Sequence, residues 1–316
     1  MAKRDWKMTK KEKNIYSNLY NQAKKIYDFR THHQGARGTE RYREGVRSFC
    51  KHLAIHYKSK NFKNISDKHL KSFVEESKKC EIGASTIKTD LAAVRKLHDM
   101  LPKKRHELKL TNKEIGAEKR KIVGVDRAWS DTEAQKAVAV AKDMGRKDVE
   151  WSIRCARTLG TRLEEVTALT KTQIRDALMN GHIHLKNTKG GIPRDVPLNK
   201  GAERVIREML SESRNERVFT GHGQTHKQAM KSIQNWIANH RASFVESVKD
   251  DIRYREELGI EEERMSLTMH GLRHSYARWQ YKMKVDEGLD EKTARKAVAE
   301  LLGHGRDQVT RIYLGK

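Results

Sequence analysis

Cysteine is scarce in this sequence: among 316 residues only Cys50, Cys80 and Cys155 carry a thiol, an odd number, far apart and never as Cys-x-x-Cys. That excludes a disulfide framework and a thiolate zinc site, and leaves buried structural thiols as the expectation. No apolar run approaches about 18 residues, no hydrophobic segment follows the basic amino terminus, and no lipidation motif is present, so no membrane span or anchor is expected. The Walker pattern is missing, and Gly221-His222-Gly223 is a lone Gly-x-Gly, so no ATP is implied. His182 with His184 and His222 with His226 have ligand-like spacing but no third donor nearby, and no metal is expected. Acidic residues are in deficit: 42 Asp and Glu face 67 Lys and Arg, a formal net charge of +25. Such a balance favours a polyanionic partner, with nucleic acid the first candidate. The length suffices for two domains, each with its own core.

The first hundred residues repeat with helical period. Tyr42, Val46, Phe49 and Leu53 build one apolar stripe, with Arg41, Arg43, Arg47 and Lys51 around it. Ser66 can cap a helix carrying Leu70, Phe73 and Val74. Ser85 or Thr86 can open another, on which Ile87, Leu91, Val94 and Leu97 face inward and Lys88, Arg95 and Lys96 outward. A small helical bundle is the expected outcome. From Pro102 to Asp126 the period fades among basic triplets, which reads as an interdomain linker able to follow a phosphate backbone.

A second domain is expected from residue 127. Ser130-Asp131-Thr132-Glu133 has capping-box spacing. A helix through Ile153, Ala156 and Leu159 meets Gly160, where the backbone can turn sharply and present Arg162 at the next helix start. His182 to Leu185 alternates with period two and Arg194 to Leu198 returns, so a hairpin carries Lys189 at or near its tip, with Lys186 three residues away as a competitor. Residues 201–268 add two or three helices. Farther on, His270 and Arg273 stand three apart, one helical turn on a common face. Gly303 ends a leucine-anchored helix at His304, and Tyr313 follows one short segment later.

Arg162, Lys189, His270, Arg273, His304 and Tyr313 together form a phosphate-handling set with its own nucleophile. Two guanidiniums can grip the non-bridging oxygens of one phosphodiester and stay charged at any working pH. A phenol can attack phosphorus and hold the strand covalently. Lysine or histidine can protonate the departing oxygen.

At these residues the chain resembles the tyrosine recombinase (phage integrase) family. Thr158 to Leu169 looks like its first arginine box, with Glu165 three residues after Arg162; Lys189 to Leu198 resembles its hairpin lysine segment. His270-Gly271-Leu272-Arg273-His274 resembles its His-x-x-Arg box, and Leu302-Gly303-His304 followed by Tyr313 its nucleophile segment. The resemblance implies a mainly α fold with a small β-hairpin: a helical core-binding domain over 1–126, its basic linker about 102–126, and a catalytic domain over 127–316. It implies a site-specific recombinase that makes a 3′-phosphotyrosyl link through Tyr313. Arg162, Arg273 and His304 would serve the phosphate, Lys189 the leaving oxygen, and His270 the phenol proton, while Glu165 would orient the arginine box. Arg43, Arg47, Lys88, Arg95 and Lys96 would grip the duplex. No cofactor is implied. Expected partners are double-stranded DNA, further copies of the chain as a tetramer on paired sites, and accessory DNA-bending proteins. Location is expected to be cytoplasmic and nucleoid-associated. Many family members continue past the tyrosine with a helix that docks on a neighbour, but only three residues follow Tyr313. Either the sequence is shortened or subunits communicate through another surface. Two alternatives share parts of this pattern: type IB topoisomerase-like relaxation, which reseals the same strand, and a catalytically silent DNA-binding regulator.

Overall fold

Helical periodicity translates into helices throughout both halves of the chain. A computed structural model describes residues 4, 6–27, 35–119, 127–186, 193–220, 223–246, 267–303 and 307–314. Two compact units emerge, Met1–Lys121 and Ile122–Lys316. No described helix is long and apolar enough to cross a membrane.

In the first unit, α1 (Lys10–Ile26) begins at a capping box in which Thr9 and Glu12 satisfy each other's main-chain N–H. Next, α2 (Gly35–His52) runs into one π-helical turn, Leu53–Tyr57, which Lys58 stops with a left-handed φ of 49°. Then come α3 (Asp67–Lys79), with Ser66 as N-cap, and α4 (Ala84–Asp99). The expected stripes bury themselves: Val46, Phe49, Leu53, Leu70, Phe73, Val74, Ile87, Leu91, Val94 and Leu97 join one core. Each large aliphatic among them contributes about 2 kcal/mol. One cap differs from expectation. Gly83, not Ser85 or Thr86, precedes α4, and its carbonyl accepts from the N–H groups of Thr86 and Ile87. At the crossing of α2 and α4, a Cβ on Gly45 would lie 2.9 Å from Asp90 Oδ1, so the helices approach as only glycine permits.

The expected linker needs a larger correction. Residues 101–119 are strapped onto the first unit: Ile115 and Ala117 are buried, and Leu108 and Leu110 pack against its core. Asp67 at the start of α3 accepts the N–H groups of Lys109 (3.0 Å) and Leu110 (3.3 Å), and Arg105 N–H reaches Lys63 O (3.0 Å). The segment has no helical period because its apolar side chains dock one at a time on an existing surface. Its continuation, residues 120–126, lies outside the described residues. Cys80 also departs from expectation: it caps α3 half-buried, whereas Cys50 and Cys155 are buried, with burial pushing the Cys155 thiol up to about 12.

The second unit opens at the Ser130–Glu133 capping box with α5 (Asp131–Asp143). After it follow α6 (Lys147–Leu159), α7 (Leu163–Thr167) and α8 (Lys171–Asn180). An antiparallel hairpin pairs β1 (His182–Leu185) with β2 (Arg194–Pro197), His184 opposite Asp195 and Leu185 opposite Arg194. Next come α9 (Lys200–Glu212), α10 (His226–His240) and a 3-10 turn at Arg241–Ser243. The unit closes with α11 (Met269–Asp286), α12 (Glu291–Leu301) and α13 (Asp307–Leu314). Its main core gathers α5 to α10 and the start of α11 around Trp129, Ile153, Leu159, Ile183, Val196 and Trp236. A satellite cluster of Tyr276, Ala277, Val298, Leu302 and Tyr313 fastens the last helices to one another. The molecule is thus mainly α with one small sheet among the described residues, as the sequence led us to expect.

Candidate active site

Four segments meet beside this satellite cluster. The first is the turn between α6 and α7. Gly160 adopts φ 59°, and a Cβ there would fall 2.2 Å from the Tyr276 ring, so the residue is glycine for two independent reasons. The turn hands the chain to Arg162, the N-cap of α7. Three residues on, Glu165 folds back: its Oε2 accepts the Arg162 main-chain N–H (2.7 Å) and its Oε1 accepts from Arg162 Nη1 (2.6 Å). The carboxylate thereby caps its own helix and fixes the guanidinium that precedes it.

The second segment is the amino-terminal turn of α11. His270 stays exposed there while Arg273 is fully buried. Arg273 donates from Nη1 to Gly160 O and from Nη2 to Leu302 O, and lies 3.9 Å from Glu165 Oε2. Burial, reinforced by repulsion from Arg194 and Arg162, pushes its guanidinium down to about 10, still charged at neutral pH.

The third segment is the end of α12. Leu302 caps that helix and supplies the carbonyl held by Arg273, and Gly303 turns away with φ 63°. His304, the next residue, lies outside the described residues, as does Lys189 in the hairpin loop.

The fourth is α13. Tyr313 is buried by the satellite cluster, yet its hydroxyl stands 3.1 Å from His270 Nε2. Its ring lies 5.8 Å from the Arg273 guanidinium carbon. The ring packs as a core side chain while the phenolic oxygen points at an imidazole. Arg162, His270, Arg273, Tyr313 and Glu165 come together; the positions of Lys189 and His304 fall in residues not described.

Two members of the site escaped the sequence reading. Arg194 projects from β2 onto the face it shares with Val196, the buried one. A cation on the core face of an alternating strand was the available signal. It donates to Glu165 Oε2 (2.8 Å), Leu302 O (2.8 Å) and Gly160 O (3.4 Å). The other is His274, whose ring stacks on Tyr313 with centroids 4.3 Å apart. Burial, with His270, Arg127 and Arg278 nearby, pushes His274 down to about 3, against a hydrogen bond to the Tyr313 main chain. It is a neutral ring that pins the phenol. The whole arrangement gathers three guanidiniums around one carboxylate, an excess of positive charge suited to a bound anion.

Of the five residues expected to grip a duplex, three are engaged within the first unit. Arg43 pairs with Glu40, Arg47 lies over the Tyr20 ring at 5.1 Å, and Arg95 donates to Leu110 O at 2.5 Å. Lys96 is exposed and Lys88 half-buried on α4.

Comparison with known proteins bears on family and fold. The family model described as the phage integrase family matches residues 131–316, and that described as the phage integrase N-terminal SAM-like domain matches residues 36–105. No curated protein sequence matches the chain. Among solved structures, the Tn1549 transposon integrase in complex with transposon right-end DNA superposes with TM-score 0.58 at 13% identity, over 95% of this chain and 94% of that one. The XerH site-specific recombinase bound to palindromic difH gives 0.59 at 20% identity, over 94% and 80%. A lambda integrase tetramer bound to a Holliday junction gives 0.60 at 14% identity, over 94% and 76%. At such identities the likeness is one of fold.

Proposed function

The chain belongs to the phage integrase family, and from that premise we propose that it is a site-specific recombinase that cuts and rejoins duplex DNA through a 3′-phosphotyrosyl intermediate. The observation that carries this reading is the Tyr313 hydroxyl 3.1 Å from His270 Nε2, beside a carboxylate ringed by three arginines.

In the proposed reaction the Tyr313 oxygen attacks phosphorus as His270 takes the phenol proton. One P–O bond forms to tyrosine and one breaks to the 5′ oxygen, which Lys189 protonates. Arg162 and Arg273 hold the non-bridging oxygens, and His304 adds a hydrogen bond as charge develops. Glu165 keeps Arg162 in place. A 5′-hydroxyl from a second duplex reverses the step with exchanged partners. Because a phosphodiester is traded for a phosphotyrosyl ester and back, the reaction needs no ATP, and the guanidiniums would stabilise the developing charge in place of a metal ion. Residues 127–316 would carry this chemistry, and 1–126 would clamp the duplex, with Lys88 and Lys96 the first candidates for phosphate contacts. The solved relatives on transposon-end DNA, on difH and on a Holliday junction support DNA as substrate and a tetramer on paired sites. Integration, excision or resolution of a mobile element is the corresponding role, with accessory DNA-bending proteins as further partners.

The test uses a pool of nicked duplexes of randomised sequence. Wild-type protein should form an adduct that survives denaturing electrophoresis, and sequencing the trapped strands identifies the junction. Tyr313→Phe should bind but form none; an adduct with that variant would refute the nucleophile, and no adduct with wild type would refute the reaction.

A further inference from the structure

Arg194 is a buried cation that the proposed chemistry leaves without a task. Its side chain is 6% exposed, and its three acceptors belong to two separate segments: Gly160 O and Glu165 Oε2 from the α6–α7 turn, and Leu302 O from the end of α12. Two of the three are also the acceptors of Arg273, which donates to Gly160 O and Leu302 O from the opposite element. Two guanidiniums from β2 and α11 thus share the same pair of carbonyl oxygens, which is possible because each carbonyl has two lone pairs. Gly303 makes room for the arrangement: a Cβ there would lie 3.1 Å from Arg194 Cδ, at a backbone φ of 63°.

Placing like charges side by side in a dry site is unfavourable, and an apolar residue of similar volume would pack at lower cost. Burial accordingly pushes Arg194 down, and Arg162 adds to this while Glu165 opposes it. A second donor on carbonyls that already have one becomes useful only when the first donor leaves. Arg273 is such a donor. It is fully buried, and both of its Nη atoms face the protein's own main chain.

We propose that Arg194 is a positioning residue that keeps Gly160 O, Leu302 O and Glu165 satisfied while Arg273 turns its N–H groups from those carbonyls to the phosphodiester. This rests on the function proposed above. Without Arg194, a turning Arg273 would strand two buried acceptors, so the active conformation would become rarer although each catalytic group is present. The device also ties the strand that follows the Lys189 loop to the helix end that precedes His304.

The experiment takes the junction recovered from the randomised pool and measures single-turnover cleavage at saturating nicked duplex, with duplex affinity and thermal melting measured alongside. Arg194→Gln should slow cleavage about 10–100-fold, the factor an unpaired buried acceptor corresponds to, while affinity stays that of wild type. Arg194→Lys keeps the charge but carries its donors on one nitrogen, not on the planar fork that spans Leu302 O on one side and Gly160 O and Glu165 on the other; it should also be slow, and it carries the test if the glutamine variant does not fold. Methylguanidinium added to Arg194→Ala should restore part of the rate. In an Arg273→Gln background the Arg194 substitution should have no further effect on rate, because the device acts through Arg273; a merely structural role would lower the rate in both backgrounds. Wild-type cleavage by folded Arg194→Lys, or full additivity with Arg273→Gln, overturns the proposal and leaves the recombinase reading intact. Absence of any wild-type adduct removes both.

Discussion

Asp90 in the first unit and Glu165 in the second are both buried carboxylates surrounded by arginine, and they are answered differently. Asp90 sits at the α2–α4 crossing with two guanidiniums, Arg4 at 2.7 Å and Arg41 at 2.5 Å. Those arginines have further partners of a structural kind: Arg4 donates to Ser77 Oγ and lies over the Phe73 ring, and Arg41 reaches Thr86 O. The cluster staples four parts of the bundle. Glu165 has three guanidiniums, of which Arg273 is completely buried, and a phenol and an imidazole stand at their edge. Burying more positive charge than the local carboxylate neutralises costs stability, a cost that, under the proposed function, a bound phosphate would offset at Glu165. Both clusters hold more cation than carboxylate; the third guanidinium and the neighbouring phenol and imidazole tell them apart.

Three substitutions test that contrast, the first with the largest effect. Asp90→Ala removes the buried carboxylate shared by the largely buried Arg4 and the partly exposed Arg41 and should destabilise the first unit by about 3 kcal/mol. A urea titration followed by circular dichroism should then show an early transition; an unchanged midpoint would make the cluster ornamental. Arg273→Gln should leave the fold in place but lower single-turnover cleavage by about 10²–10³-fold, as for other lost transition-state donors. Wild-type affinity for duplex with slow cleavage is the expected pattern, and an equal loss of both would assign Arg273 to general binding instead.

The smallest effect concerns His52 in the first unit, a buried ring packed by Trp6, Phe49 and Phe73. Burial, followed by His56, His69 and Arg4, lowers it from 6.5 to about 3. A histidine depressed on folding stays neutral in the native state while the unfolded chain takes up a proton. Its contribution is therefore whole above about pH 6.5 and lost progressively as pH falls toward 3, at about 1.4 kcal/mol per pH unit. At pH 5 the loss amounts to about 2 kcal/mol. His52→Leu should abolish that slope, so its melting temperature relative to wild type should rise between pH 7 and pH 5. A constant offset across that range would show that His52 does not titrate as its burial dictates.

Much of the fold was legible because helix stripes are local. Val46, Phe49 and Leu53, or Ile87, Leu91 and Val94, recur at a spacing that any helix turns into one face, and those faces are buried. Capping at Ser130 and the stop at Gly160 were equally local, since each depends on a few neighbouring residues. The expectation of a linker failed over 102–119 because Leu108, Leu110 and Ile115 join the first unit's core while the main chain there bonds to Asp67 and Arg95, partners distant in sequence. The site was legible as far as its motifs reached. Arg162, Glu165, His270, Arg273 and Tyr313 could be named from their resemblance to the family's motifs, whereas the sharing of Gly160 O and Leu302 O by Arg194 and Arg273 could not.

Sequence alone determined which elements form, where they stop, and that a strongly basic chain carries a set of residues suited to phosphate. Only tertiary structure decided which cations would be surrounded by protein and which left to solvent. Helix period and capping act over a few residues along the chain, whereas the burial of Arg194 and Arg273 and the approach of Tyr313 to His270 join segments from 29 to 113 residues apart. Contacts of that range depend on how the packed elements close in space, and no local pattern encodes it.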